Sequence, residues 1–496
     1  MLVVLAVFAA IGTFSDTQRP NSDRSPNIVL VLADDLGFGE VGVFGQQSIR
    51  TPHVDRLARE GVAFDRFYAA STVCAPTRAS LMTGKHTGRS AVRGNKEVGG
   101  WGIREGEGQM PLPARERTIA EILQTKGYRT GAFGKWGLGG PGTEGHPMAQ
   151  GFDAFFGYLC QRQAHGHTPP YLWKNHDVYL LPENGAIHPH QRLEQAPSDF
   201  DKYMGPMYAP QLILDEALKF VEANKDRPFF LYFPSALPHA ALQAPKEWVD
   251  RYPREWDPSP YLGDKSYLPT ERPRATYAAM ISFLDHSLGA LVEKVDELGL
   301  GRDTLIVFTS DNGATFNGGV DLAFFRSNGK LRGHKTQLYE GGVRVPFVAR
   351  WAGTVPAGER RQARAAMFDL FATFAEMAGD RAREDGRSLL PTLRRDGSGH
   401  ESLYFEFPEG NQSQALIWGR YKGVRPNLKQ RGLEMEVYDL ETDPGETRNL
   451  APDRPDLVKE LAARMARAHR PNRDFPLAAV DPPQGSKVSA IARTSS

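Results

Sequence analysis

Short apolar runs alternate along this chain with amphipathic stretches, and no other feature constrains its fold as strongly. NIVLVLA (27–33), PFFLYF (228–233) and TLIVFT (304–309) are apolar almost throughout, and YRTGAF (128–133) reads as a further strand. Around them, VDRLAREG (54–61), RERTIAEILQTKG (115–127), PQLILDEALKFVEAN (210–224), residues 276–298 and AMFDLFATFAEMAG (366–379) have helical spacing. Ile119, Ile122 and Leu123 share one face of their helix, and Gly127 follows its end. Met280, Leu284, Leu288, Leu291 and Val295 form the stripe of the longest one. A strand that is apolar at every position has two faces to bury, so helices must cover the sheet on both sides. The expected fold is α/β, with a large, mostly parallel sheet flanked by helices.

After about residue 385 the texture changes. SLYFEF (402–407), ALIWGRYKGVR (415–425) and MEVYDLETD (435–443) read as short antiparallel strands, and LVKELAARMARAH (457–469) as a terminal helix. The expected organisation is a catalytic domain over 26–385, a small α+β C-terminal subdomain with a short antiparallel sheet over 386–480, and a loose tail over 481–496. At the other end, LVVLAVFAAIG (2–12) is too short for a membrane-spanning helix. No basic residue precedes it, but Ala9, Ala10 and Gly12 offer small residues for cleavage, and a polar stretch follows. It is read as a signal peptide over 1–16, against the alternative of a frayed apolar terminus. Export to a periplasmic, secreted or lysosome-like compartment is expected, with no stable membrane association.

Composition excludes several classes. With 60 Lys+Arg against 59 Asp+Glu, the chain does not suit nucleic-acid binding through overall charge. Two cysteines, Cys74 and Cys160, exclude a disulfide scaffold and a Cys-rich zinc module.

In open α/β sheets, ligands bind beyond the carboxyl ends of the strands. The run at 27–33 ends in Asp34-Asp35, and the run at 304–309 in Ser310-Asp311-Asn312-Gly313. The run at 128–133 leads to Gly134-Lys135-Trp136, and that at 228–233 to Pro238-His239. One sheet edge thus receives two acidic clusters, a lysine and a histidine. Asp34, Asp35, Asp311 and Asn312 are hard oxygen ligands whose carboxylates repel unless a cation sits among them. Oxygen-only ligation suits Ca²⁺ or Mg²⁺, and so many protein ligands favour Ca²⁺ over Mg²⁺. Taken singly, each acidic pair also fits a turn or helix cap.

Cys74 opens Cys74-Ala75-Pro76-Thr77-Arg78-Ala79-Ser80-Leu81-Met82-Thr83-Gly84. Pro76 and Gly84 bracket a short helix with Cys74 at its N-terminus, where free N–H groups attract anions. Arg78 lies one turn on and is able to fork onto an anionic group. The alternatives are a buried structural cysteine and a thiolate phosphatase; the Cys-to-Arg spacing is too short for the latter.

Cys74-Ala75-Pro76-Thr77-Arg78 resembles the C-x-P-S/T-R signature of type I sulfatases. PNIVLVLADDLGFGEVG, Thr83-Gly84-Lys85-His86, GKWGLGG (134–140), TSDNGA (309–314), LYEGGVRVP (338–346) and Tyr438-Asp439-Leu440…Asp443-Pro444…Glu446 are similar to the family's other blocks, in order. The resemblance implies an alkaline-phosphatase-like fold and a sulfuric ester hydrolase. It implies that a separate formylglycine-generating enzyme oxidises Cys74 to formylglycine. Of the two hydroxyls of the hydrated aldehyde, one attacks sulfur and the other later expels sulfate. By motif, Asp34, Asp35, Asp311 and Asn312 hold Ca²⁺, which also contacts residue 74. Asp311 also helps to deprotonate the attacking hydroxyl. Arg78 orients the formylglycine, Lys135 and Lys335 neutralise the sulfate oxygens, and His239 hydrogen-bonds the bridging oxygen.

One position departs from the pattern. Many sulfatases have His two residues after the motif lysine, where this chain has Gly137. His165, in Cys160-Gln161-Arg162-Gln163-Ala164-His165-Gly166-His167, is the first candidate to replace it. The expected substrate is a sulfate ester, a sulfated oligosaccharide fitting best. The alternative is a phosphodiester or phosphonate monoester hydrolase of the same superfamily.

Overall fold

The computed structural model describes residues 24–100, 102–103 and 106–482. The signal-peptide expectation at 1–16, and the tail beyond 482, fall outside the described residues.

A ten-stranded sheet organises the chain. From edge to edge its strands are Glu359–Arg361, Val62–Phe64, Phe347–Arg350, Thr304–Ser310, Asn27–Ala33, Phe229–Pro234, Arg129–Lys135, Ala154–Tyr158, Tyr171–Lys174 and Asp177–Leu180. The five from Thr304–Ser310 to Ala154–Tyr158 are parallel to their neighbours. Antiparallel pairing enters through Phe347–Arg350 on one side and the hairpin Tyr171–Leu180 on the other. Both faces are covered. Along Asn27–Ala33, Ile28, Leu30 and Leu32 enter one core while Val29, Val31 and Ala33 enter the other. This follows from the two-residue period of a strand.

The helices form where spacing placed them, with ends set by capping. The helix read over 115–127 occupies Ile119–Thr125. Thr118 accepts from Glu121 N–H, and Glu121 accepts in return from Thr118 N–H, a capping box that starts the helix late. The helix read over 366–379 is Asp369–Met377, because the Asp369 carboxylate turns back to accept from Ala366 N–H. The long helix is Pro273–Glu297.

In the C-terminal part, four antiparallel strands, Ser402–Phe407, Ser413–Trp418, Tyr421–Arg425 and Glu436–Asp439, carry the helix Pro455–Ala468. Leu457, Leu461 and Met465 pack on Leu416, Val437 and Tyr404. The run 415–425, read as one strand, folds as a hairpin with Trp418 opposite Tyr421. Gly419 supplies the left-handed residue of its two-residue turn, at φ +54°. Among the described residues, no helix is long and apolar enough to cross a membrane.

Candidate active site

Strand register builds the site. Ala33 lies opposite Ser310, so the next residues, Asp34 and Asp311, leave adjacent strands side by side. Asp311 N–H donates to the Ala33 carbonyl at 3.0 Å, and Asp35 N–H to Asp311 Oδ1 at 3.1 Å. Asp35 adopts φ +68°, a left-handed conformation that aspartate tolerates better than most residues. Asp34, Asp35, Asp311 and Asn312 are all fully buried. Lys135 ends its own strand two places along the sheet. Lys335 comes from the loop before the Tyr-Glu-Gly-Gly block. That block packs backbone to backbone on the Asp311-Asn312-Gly313 turn: a Cβ on Gly313 would lie 1.9 Å from the Gly341 carbonyl oxygen. Only glycine permits that approach.

The helix Cys74–Thr83 points its N-terminus into this cluster, and Gly84 ends it at φ +71°. The Cys74 thiol donates to Asp34 Oδ1 at 3.2 Å, while Lys135 Nζ and Lys335 Nζ approach its sulfur at 3.5 and 3.8 Å. The same lysines pair with Asp34 (2.5 Å) and Asp35 (2.7 Å). Arg78 does fork onto an anion, and that anion is Asp311: Nε and Nη2 donate to its Oδ2 at 3.1 and 2.8 Å. Its Nη1 donates to the Lys135 carbonyl, so the guanidinium clamps two strand ends together. His239 Nδ1–H donates to the Ala240 carbonyl at 2.5 Å, which leaves Nε2 facing Asp35 Oδ2 at 3.5 Å.

These groups perturb one another strongly. Burial and the neighbouring Asp34 push the Asp311 carboxyl up to about 7. Burial also raises Asp35, against the pull of Lys335. At Asp34 burial acts upward too, but Lys135, with Arg78 and Lys335, holds its carboxyl well below the usual range. Burial and Asp34 push the Cys74 thiol well up, so the cysteine itself is no thiolate nucleophile here. Burial, Lys335 and Lys135 keep His239 neutral.

The cluster offers room and ligands for a divalent cation. Asp34, Asp35, Cys74 and His239 offer ligand atoms within 4.8 Å of one another. Asn312 donates from Nδ2 to Asp35 Oδ1 at 2.8 Å, while its buried Oδ1 has no hydrogen-bond partner. That oxygen and the buried carboxylates of Asp34, Asp35 and Asp311 are atoms such a cation could take.

His165 does not take the place above Gly137. Gly137 sits at φ +77°, and a Cβ there would meet the Gln161 side chain at 2.9 Å. Gln161 therefore fills that space. Beside it, Asn95 Oδ1 accepts from Ala75 N–H at 2.9 Å. His165 stacks instead on His239, with His190 and Tyr267 against it. Neither of the last two is signalled by motif or period, since both lie on irregular loops. Cys160, the second thiol, is buried, and burial pushes it up to about 11.

Comparison with known proteins agrees with this geometry. Residues 26–380 match the family model for sulfatases, and residues 333–470 match that for the N-sulphoglucosamine sulphohydrolase C-terminal region. An N-acetylgalactosamine-6-O-sulfatase of Bacteroides thetaiotaomicron is 30% identical over 91% of this chain and 95% of its own. The human N-acetylgalactosamine-6-sulfatase is 33% identical over 80% and 71%. Among solved structures, Ps i-CgsB in complex with k-i-k-neocarrahexaose superposes with a TM-score of 0.71 at 26% identity, covering 90% of this chain and 92% of that one. The phosphonate monoester hydrolase of Agrobacterium radiobacter shares the fold, with a TM-score of 0.62 at 21% identity over 89% and 95%. The chain thus belongs to the sulfatase family, and its class is that of the sulfuric ester hydrolases.

Proposed function

We propose that this chain cleaves sulfate monoesters of carbohydrates, with residue 74 carried as formylglycine and a divalent cation, Ca²⁺ rather than Mg²⁺, held by Asp34, Asp35, Asp311, Asn312 and residue 74. The observation that carries the reading is convergence. Asp34, Lys135 and Lys335 all reach the Cys74 sulfur within 3.8 Å, beside an amide oxygen with no partner. The names of the relatives, and the oligosaccharide bound to Ps i-CgsB, support a carbohydrate ester.

Bound there, the cation supplies Lewis-acid polarisation of a sulfate oxygen. Formylglycine, once hydrated, supplies two hydroxyls on one carbon, so that the position which takes up sulfur also releases it. The other roles belong to this chain's side chains. Asp311, held by Arg78 beside residue 74, takes the proton of the attacking hydroxyl. Arg78 holds Asp311 and the Lys135 strand end in place. Lys135 and Lys335 meet charge growing on the sulfate oxygens. As the S–O bond breaks, its electron pair passes to the bridging oxygen, which takes a proton from His239 Nε2. In the resting site Lys335 and Lys135 add to burial in keeping that ring neutral; a sulfate group between the two lysines offsets them and favours the charged ring. Export and a maturation enzyme acting on the Cys74 motif belong to the same proposal.

Mass spectrometry of the peptide containing residue 74, after coexpression with a formylglycine-generating enzyme, tests it. An aldehyde in place of the thiol is expected, and an intact thiol in active enzyme refutes the mechanism. Turnover is then compared on aryl sulfate and aryl phosphodiester; a preference for the phosphodiester overturns the assigned substrate.

A further inference from the structure

His165 and His239 come from different loops yet stack almost perfectly parallel, with centroids 4.6 Å apart and planes 5° from coincidence. Several contacts hold the pair. His165 Nδ1 and His190 Nε2 share a hydrogen bond of 3.0 Å, and His190 Nδ1 and Ser266 Oγ share one of 2.8 Å. Tyr267 stands edge-on to both stacked rings, at 5.3 Å from His165 and 5.6 Å from His239. Ser266 and Tyr267 are both left-handed, at φ +65° and +70°, a costly conformation for a bulky residue. The backbones are tied as well. Ala241 N–H donates to the His165 carbonyl at 2.8 Å, and His167 Nε2–H to the His239 carbonyl at 2.9 Å.

What this assembly fixes is a ring plane. His239 is anchored at one nitrogen by the Ala240 carbonyl and has His165 on its face, so rotation about its ring axis is blocked. Nε2 is thereby aimed at the cluster around Cys74.

We propose that His165, braced by His190 and Ser266, is a positioning residue that sets the His239 plane so that Nε2 meets the bridging oxygen of the ester. It rests on the reading of His239 as the group at the leaving oxygen, and it has a signature that a packing role lacks. A phenol with an electron-withdrawing ring departs as a stable anion with little help; a poor leaving group needs the proton, and such help is worth about 10²–10⁴-fold.

The test is a series of phenyl sulfates spanning leaving-group acidity, measured on matured enzyme. His165→Ala is expected to lower kcat about 100-fold for the poorest leaving group and only about 3-fold for nitrophenyl sulfate, with KM little moved. His165→Phe keeps the stack and should recover most of the loss. His190→Ala should show the same tilt, more weakly, and serves if His165→Ala does not fold. A loss equal across the series, or confined to KM, overturns the proposal. His239→Ala separates the two readings. A steep dependence there with a flat one in His165→Ala overturns positioning alone, whereas a flat response in both removes the role of His239 as well.

Discussion

Two buried ionic clusters in this molecule both pair buried charges and shift carboxyls, and they differ in what they face. One surrounds Cys74. The other joins the C-terminal subdomain to the main body. There Lys422 Nζ pairs with Glu340 and Glu446, each at 3.0 Å, with all three side chains fully buried. Glu446 Oε2 accepts from Glu340 N–H at 2.7 Å, and Tyr68 OH donates to Glu340 Oε2 at 2.9 Å. Burial pushes Glu446 up to about 7, the same value as Asp311. A shifted carboxyl therefore does not identify the active site. Convergence does. In the Lys422 cluster the charged groups point only at one another, whereas around Cys74 Asp34, Lys135 and Lys335 also point at a common sulfur.

The comparison breaks if the two clusters respond alike to mutation. The largest effect belongs to Cys74. Cys74→Ala removes the precursor of the nucleophile, and kcat on nitrophenyl sulfate should fall by at least about 10⁴-fold, as for other knocked-out nucleophiles. Its unfolding midpoint should stay close to that of wild type. Cys74→Ser should lose multiple turnover, with at most one sulfate ester handled per site. Lys422→Met should do the reverse. It strands Glu340 and Glu446 as buried carboxylates without their ammonium, which costs about 3–5 kcal/mol. Urea unfolding measures that loss, while kcat of the molecules that remain folded should be near wild type. A Lys422→Met protein as stable as wild type would remove the lock from this picture.

How much of this was legible in sequence follows the same division. Asp34, Asp35, Asp311 and Asn312 were readable because each follows an apolar strand, and parallel register brings strand ends together without knowledge of loops. Lys135 was readable for the same reason, and Cys74 because Gly84 ended its helix. Glu340 was visible only as a motif letter. Its partner Lys422 lies 82 residues away on a strand of the C-terminal sheet, and no local pattern announces that pairing. Gln161 and His190 were legible only as members of the His-, Pro- and Tyr-rich stretch 160–205, expected to wall the pocket, and Ser266 and Tyr267 were not legible. They sit on irregular loops whose positions depend on the strands they leave, so neither the helical nor the strand period reports them. The hairpin at Gly419 was hidden inside an apolar run whose turn has only one glycine to mark it.

A smaller effect sharpens the contrast through the cation. Any ligand bound only by the folded state stabilises it, by about 2.7 kcal/mol at a hundred times its Kd. Calcium added to chelated, matured wild type should therefore raise the unfolding midpoint and restore turnover. Asp35→Asn should lose most of that increment, because one ligand has lost its charge, whereas Lys422→Met should keep it in full on its lower baseline. Equal increments in all three proteins would mean that calcium acts away from the Asp34–Asp35–Asp311 cluster.

The smallest effect lies at the edge of the C-terminal subdomain and concerns pH. His469 Nδ1 pairs with Glu406 and Nε2 with Asp481, each at 2.8 Å. Burial opposes its charge, but the Glu406 and Asp481 carboxylates outweigh that and raise the imidazole above its ordinary value. A group raised on folding binds its proton more tightly in the native state. Its contribution is complete below the unfolded value of about 6.5 and is lost as pH climbs through the raised folded value. Glu406 also pairs with Arg93 of the main body at 2.7 Å, so the loss should loosen the docking of the terminal helix rather than the sheet. Hydrogen exchange of residues 455–468 compared below and above neutral pH reads this directly. Protection should fall with rising pH in wild type and be nearly pH-independent in His469→Gln. A wild type whose terminal helix gains protection as pH rises would reverse the sign and show that Glu406 and Asp481 do not hold the charged ring.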